Sequence, residues 1–392
     1  MTAGAPIARQ QLPETLGAPL AGLSTQEWCT VLVAVTVASL PAVMPAMVAA
    51  MASQPRIGVE GAGYLVSANM AGIFFGTLIS ALVRGWAAPV RLVRAGLLVM
   101  AAGNLVTAIT GTTPGLLTVR FLSGLGEGVA AGICFSLMAQ SQRVGRGFAI
   151  YTAGQGLVGA IGMATLPWLV SAFDWRAFYV AMAAIAIPAL LLAGVASRGG
   201  LAVAAGAASS RISRAGWISL TLIFLYFTGM ALIWAFLQRI GELHRFSLTV
   251  ISGALATGAL ASLCGSLVVA MGAERLPDRL AFAMGIVLLI AAAAGLWLGL
   301  SGGFIGGVWL LNFAWGFQYP FLFRMLARTD PDKGAGLAPV ATGIALSVGP
   351  ALGGSMLSHG GLAATSAVFL ALTLGALAFC FLRPTLPTES NQ

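Results

Sequence analysis

The sequence predicts an all-α membrane protein with twelve transmembrane helices in two pseudo-symmetric six-helix bundles. Three observations carry that expectation: a composition unsuited to water, twelve apolar runs of spanning length, and arginines that alternate between the two sides of those runs. Of 392 residues, 59% are hydrophobic and 8% charged, whereas a soluble domain carries about 25% charged residues. A chain of this kind has lipid as its natural solvent.

A crossing needs about 20 mostly apolar residues. Runs of that length fall at 28–52, 62–83, 93–112, 116–140, 148–171 and 177–196, then at 216–238, 247–271, 282–300, 304–326, 336–357 and 361–382. The first run is too long for the apolar stretch of a signal peptide and has no basic segment directly before it. Residues 1–27 read as an N-terminal tail and 383–392 as a C-terminal one. The Gly-, Ala- and Ser-rich stretch 197–215 reads as a linker between an N-terminal bundle, 28–196, and a C-terminal bundle, 216–382.

The positive-inside rule tests the count. With both termini cytoplasmic, fifteen basic residues fall on the cytoplasmic side, among them Arg84, Arg91, Arg94, Arg143, Arg324, Arg328 and Lys333. Four fall outside (Arg56, Arg176, Arg239 and Arg245), and Arg120 lies within a span. A missed or extra span would scramble this bias downstream of the error. The net charge of +9 is therefore loop charge on a lipid-bound protein, and its scatter argues against a nucleic-acid surface. Trp28 and Trp217 open spans 1 and 7 as interfacial anchors.

A shift of 189 residues superposes the halves: Trp28 falls on Trp217, Gly76 on Gly265, Gly96 on Gly285 and Gly154 on Gly343. Two parallel six-helix halves are a transporter repeat architecture.

Three segments carry a family resemblance. Arg120-Phe-Leu-Ser-Gly124-Leu-Gly126-Glu-Gly128 opens span 4, Trp175-Arg176 follows span 5, and Gly349-Pro350-Ala-Leu-Gly353-Gly354 lies in span 11. The first resembles the R-F-x-x-G-x-G-x-G pattern of the major facilitator superfamily. The second is similar to its Gly-Trp-Arg turn, and the third to the G-P-x-x-G-G motif that its antiporter branch usually carries in span 5. One motif departs from the pattern: after Gly76 the loop between spans 2 and 3 keeps basic Arg84, Arg91 and Arg94 but lacks the family's aspartate. The resemblance implies a secondary transporter working by alternating access, with a cavity lined by spans 1, 2, 4, 5, 7, 8, 10 and 11.

Glu127 is the one acidic residue well inside a span. A charge there costs about 2.5 kcal/mol or more, which makes it a functional candidate. Arg120 lies two turns earlier on the same face, and the Glu127 side chain leans back toward it. The axial gap of about 10 Å requires extended side chains or a bridging water. Burial favours a neutral carboxyl and the arginine a charged one, so the pair suits reversible proton binding. Glu127, modulated by Arg120, is the expected proton-coupling site; a fixed structural ion pair is the alternative.

On the lining spans implied by the resemblance, the expected substrate contacts are Asn69, Tyr151, Gln155, Tyr226, Trp234, Asn312, Trp315, Gln318 and Tyr319. Amides and rings among apolar walls suit a small organic solute. Pro320 is expected to perturb span 10. Met44, Met47 and Met51 form a stripe in span 1 that reads as packing rather than a Cu(I) site, since His244 and His359 fall in outer loops. Cys29, Cys134, Cys264 and Cys380 are too scattered for a disulfide framework.

No Walker motif occurs and Lys333 is the sole lysine, which weighs against ATP-driven transport. An enzyme is not expected, because no nucleophile with its base is in view. Neither a cofactor nor a resident metal is expected. The expected partners are a small-molecule substrate, protons and the bilayer, for a monomer in the inner membrane of a bacterium. Uptake is one reading; drug or metabolite efflux by proton antiport, or a non-transporting sensor on the same scaffold, are the alternatives.

Overall fold

The structure, a computed structural model, describes residues 23–83, 86–141, 143–196, 212–272, 275–329 and 334–382. Arg84, Lys333, most of the tails and most of the 197–215 linker lie outside the described residues.

Every regular element among the described residues is a helix. In order they are α1 (Thr25–Val37), α2 (Ser39–Ala42), α3 (Met44–Ala52), α4 (Gly58–Val83), α5 (Pro89–Ile109), α6 (Thr113–Ala139), α7 (Val144–Ala172), α8 (Trp175–Ala184) and α9 (Ala186–Ala196). There follow α10 (Arg214–Trp234), α11 (Leu237–Leu243), α12 (Leu248–Ala270), α13 (Asp278–Trp297), α14 (Ser301–Thr329) and α15 (Gly334–Leu382). Nine helical stretches among the described residues are long and apolar enough to cross a bilayer. One of them, Leu337–Leu382, has 46 residues, about twice a single crossing. It breaks at Gly361, whose φ of 63° glycine adopts without a Cβ penalty.

The first predicted span is not one helix. Pro41 and Pro45 have no N–H to donate, so the chain passes through Ala38 and Val43 as two breaks between α1, α2 and α3. α14, by contrast, runs through Pro320 to Thr329, so the proline expected to perturb the span does not end the helix. Neighbouring helices allow a membrane helix to tolerate such a residue.

Glycines set the closest crossings. Gly72 and Gly76 on α4 interleave with Gly124, Gly128 and Gly132 on α6. A Cβ at Gly124 would strike the Asn69 carbonyl, and one at Gly128 the Ile73 carbonyl. Gly126 turns the other way, to within 2.6 Å of the Gly96 carbonyl on α5 for an added Cβ. Small residues let backbones approach in this way where no hydrophobic drive separates helix from lipid. Thus the glycines around Glu127 act as a packing device that presses α4, α5 and α6 together. In the second half, α12 and α14 cross at Gly265 and Gly316, and α13 meets α14 where Gly285 faces Gln318.

The halves meet through α4 against α15 and α7 against α12. Gly349 and Gly353 face the α10 backbone at Thr228 and Leu232. Pro350 and Gly354 sit against Gly63, Val59 and Glu60 of α4, and the Ala351 N–H donates to Ser67 Oγ at 2.8 Å. The glycine–proline motif is therefore the wedge of α15 between α10 and α4. Met44, Met47 and Met51 are buried in the core, not turned to lipid.

Asp278, which falls between the predicted spans 247–271 and 282–300, is buried at the first turn of α13. It accepts from Arg324 Nε at 2.6 Å and from Arg328 Nη1 at 3.2 Å. Arg176 donates to the Ala108 carbonyl in the last turn of α5 at 2.9 Å and lies over the Trp175 ring. A cation beside terminal carbonyls is favoured, so Trp175-Arg176 fastens the end of α5. Arg91 is exposed in the first turn of α5.

Candidate functional site

α6 carries the two buried charges of the first half, and the packing around it decides what they meet. Arg120 and Glu127 are 0% and 1% exposed. Arg120 Nη2 lies 3.9 Å from Glu127 Oε1, so the side chains close the axial gap directly. Asn69 on α4 ties them together: its Oδ1 accepts from Arg120 Nη2, and its Nδ2 donates to Glu127 Oε2 at 3.3 Å. Ser123 Oγ donates to Glu127 Oε1 at 3.3 Å.

The far side of the guanidinium is held as firmly. Arg120 Nη1 donates to Asn104 Oδ1 at 2.8 Å and to Thr107 Oγ1 at 3.5 Å, both on α5. Its Cζ lies 5.0 Å above the Tyr179 ring on α8, a cation–π distance. The Tyr179 hydroxyl donates to Met51 Sδ at 2.9 Å, which links the set to the end of α3.

The network thus holds one positive and one negative charge in the interior of the first half. Breaking such a pair leaves an uncompensated buried charge, whereas intact it is balanced. A proton arriving at Glu127 changes the charge of the whole set by one, with Arg120 then the unbalanced member.

Glu127 also faces open space. It lines a cavity of about 200 Å³ with Val37, Ala38 and Pro41 from the break in the first span, Ile73 and Thr77 of α4, Ala131 and Phe135 of α6, and Tyr151 and Gln155 of α7. Gln155 Nε2 donates to the Val35 carbonyl at 3.0 Å. Tyr151 packs edge-on against Phe135. The structure therefore brings Glu127, Tyr151 and Gln155 to one cavity, with Asn69 behind Glu127.

The remaining expected contacts fall elsewhere. Trp234 Nε1 donates to the Pro41 carbonyl at 3.2 Å, joining the two halves at the broken span. Phe227 joins Trp315 and Tyr319 in one aromatic cluster. Asn312 donates to its own helix at Val308 O, 2.9 Å. Gln318 is buried and donates to the Phe282 carbonyl at 3.0 Å. Tyr226 is buried against Phe282.

Asn104, Thr107, Ser123 and Tyr179 were absent from the expected site, although each is a polar side chain within or beside an apolar run, the signal that should have raised them. Spans 3 and 6 are not among the lining spans that the resemblance implies. These residues hold the charges from behind without lining the cavity.

A family model for the Major Facilitator Superfamily matches residues 28–338. A comparison with curated protein sequences gives no match. Among solved structures, a mutant of the nucleoside transporter NupG superposes with a TM-score of 0.68 at 12% identity, covering 91% of this chain and 98% of that one. The human organic anion transporter MFSD10 (TETRAN) gives 0.60 at 16% identity over 92% and 98% of the two chains. A bacterial homologue of the human lysosomal transporter Spinster, inward-facing and unoccupied, gives 0.56 at 14% identity over 92% and 95%. At these identities the structural likeness speaks for the fold, and the family match carries the assignment: the chain belongs to the Major Facilitator Superfamily and is a multi-pass membrane transporter, not an enzyme.

Proposed function

We propose that the protein is a proton-coupled secondary transporter in which Glu127 carries the proton and the adjoining cavity receives a small organic solute. The observation that carries this reading is the double setting of Glu127: one side is tied to Arg120 through Asn69, the other lines the cavity. A carboxyl in that position exchanges its proton with whatever fills the cavity, and the arginine network registers the change of charge.

The reading takes twelve spans, counting α1 to α3, α8 with α9, and α10 with α11 as one each, and α15 as two. The bundles are 28–196 and 216–382, with both termini in the cytoplasm of a bacterium and the protein in its inner membrane as a monomer. Alternating access then rocks one bundle against the other around the cavity. The α4–α15 and α7–α12 contacts are the surfaces that part and re-form. Tyr151 and Gln155 are the substrate contacts favoured by this cavity. Tyr226, Trp315, Gln318 and Tyr319 in the second half are contacts for a state in which the halves have moved.

The test is proton flux in liposomes loaded with a pH-sensitive dye, screened against organic solutes in the wild type and in Glu127→Gln. Substrate-dependent acid movement in the wild type that Glu127→Gln abolishes is the expected result. Equal flux in both proteins would remove Glu127 from the coupling step.

A further inference from the structure

The cavity wall formed by the broken first span carries a hydrogen-bonding imbalance that selects among solutes. In an α-helix the carbonyl of residue i accepts from the N–H of residue i+4. Pro41 and Pro45 have no N–H, so the carbonyls of Val37 and Pro41 lose their helical donors. At Pro41 the loss is made good by Trp234 Nε1, 3.2 Å away. At Val37 no side chain among the described residues takes the missing place. Val37 and Pro41 both line the cavity. Non-helical backbone at membrane depth persists where it is buried in protein or lines a cavity, and unwound carbonyls in transporters serve as ligands.

The rest of the polar lining leans the same way. The Thr77 hydroxyl shares its proton between the Ile73 carbonyl at 2.9 Å and the Gly128 carbonyl at 3.3 Å, which leaves its lone pairs. Gln155 spends one Nε2 hydrogen on the Val35 carbonyl, which leaves its Oε1. Glu127 is an acceptor when ionised. Against these four acceptors the cavity sets the Tyr151 hydroxyl and the second Gln155 N–H as donors. Ile73, Ala131 and Phe135 supply apolar wall.

We propose that the cavity binds a small amine-bearing solute, its N–H groups reaching the Val37 carbonyl and the Glu127 carboxylate and its apolar body lying against Phe135 and Ile73. The assignment rests on the reading of this cavity as the substrate site, and it names the chemical class. An ammonium fits because the residues that line the cavity offer more acceptors than donors. A carboxylate or phosphate would meet only two donors in this lining, too few to satisfy its oxygens.

Equilibrium binding of radiolabelled phenethylamine to the full-length protein in nanodiscs, at fixed pH and without a gradient, tests this. Competition with phenylethanol and phenylpropanoate, which keep the ring and replace the amine, gives the selectivity. The expected result is saturable amine binding, at least about tenfold weaker competition by the alcohol, and none by the carboxylate. Pro41→Ala returns an N–H donor to the Val37 carbonyl and is expected to weaken amine binding about tenfold; Thr77→Val, which removes the hydroxyl and with it one acceptor of the cavity, weakens it about threefold. Absence of saturable amine binding, equal competition by the alcohol, or wild-type affinity in folded Pro41→Ala overturns the proposal. If Pro41→Ala fails to fold, unchanged affinity in Thr77→Val does so. Amine binding without Glu127-dependent proton flux would sink the coupling mechanism and leave this inference standing; flux without amine binding would do the reverse.

Discussion

The α4–α6 crossing of the first half and the α12–α14 crossing of the second are related by the 189-residue shift, yet they are filled in opposite ways. Adding 189 to Asn69, Asn104, Thr107, Arg120, Ser123, Glu127 and Tyr179 gives Gly258, Ala293, Leu296, Trp309, Asn312, Gly316 and Val368. Only the serine has a polar counterpart, Asn312, and that amide donates within its own helix. The glycines that set the approach, Gly76 with Gly265 and Gly96 with Gly285, are kept. One backbone arrangement thus carries a charge network in one half and an apolar contact in the other. The second half keeps its charges at its edge, where Asp278 meets Arg324 and Arg328. Backbone approach is the shared scaffold, and the buried charges were placed on it independently.

The sharpest way to break this comparison is to remove one charge. Arg120→Leu leaves Glu127 and the Asn104 and Asn69 carbonyl oxygens without their cation, and is expected to lower unfolding stability by about 3–5 kcal/mol. The double variant Arg120→Leu/Glu127→Leu should recover much of that loss, since both charges then go. Trp309→Leu, at the shifted position on a partly exposed face, should cost about 1 kcal/mol or less. Detergent-concentration or thermal unfolding of the three variants decides it. If Trp309→Leu equals Arg120→Leu, the asymmetry of the halves is wrong.

A smaller effect comes from the shared scaffold. Gly124→Ala puts a methyl into the Asn69 carbonyl, and Gly316→Ala puts one into the Ser262 carbonyl. Both should destabilise by about 1–3 kcal/mol, in the same thermal assay. Gly306→Ala meets nothing within 4 Å and should be neutral or stabilising by a few tenths of a kcal/mol, through a less flexible unfolded chain.

The smallest effect lies at the starts of α1 and α10, whose N-caps Ser24 and Ser213 are also 189 residues apart. At α1, Glu27 completes a capping box with Ser24, while the shifted position is Gly216. The Ser141 hydroxyl above all, with Ser24 and Arg143, holds the Glu27 carboxyl below the usual carboxylate range against the opposing effect of burial. A lowered value in the folded state means that its stabilisation is full above the unfolded value of about 4.3. It is lost as pH falls through the folded value. The stability of Glu27→Gln should therefore fall less steeply than that of the wild type below about pH 4, read as unfolding midpoint against pH. An identical acid limb in both proteins would show that the box contributes nothing.

Much of the fold was legible because membrane helices announce themselves by length and apolarity, and their loops by arginine. The all-α membrane class followed from those alone, as did the break near Gly361. Glu127 and Arg120 stood out because charge is rare in an apolar run. The helical breaks of the first span were equally written in Pro41 and Pro45, but the run was read for its hydrophobicity and so appeared as one helix. Asp278 falls outside the predicted spans because a residue at a helix's first turn looks like loop until Arg324 and Arg328, in the last two turns of α14, are folded over it.

What the sequence by itself determined was which segments are apolar enough for lipid, where small residues permit close crossings, and that Glu127 and Arg120 are buried. These are local properties, fixed by transfer cost and helical period. What only the tertiary structure decided was the company those groups keep. Asn69 bridges the two charges from another helix, Asn104, Thr107 and Tyr179 hold the arginine from behind, and the broken first span opens a cavity onto the carboxylate. Such partners are distant along the chain: Tyr179 lies 59 residues from Arg120, and Val37 lies 90 from Glu127. Only the close approach of glycine-faced helices brings their side chains within hydrogen-bonding distance.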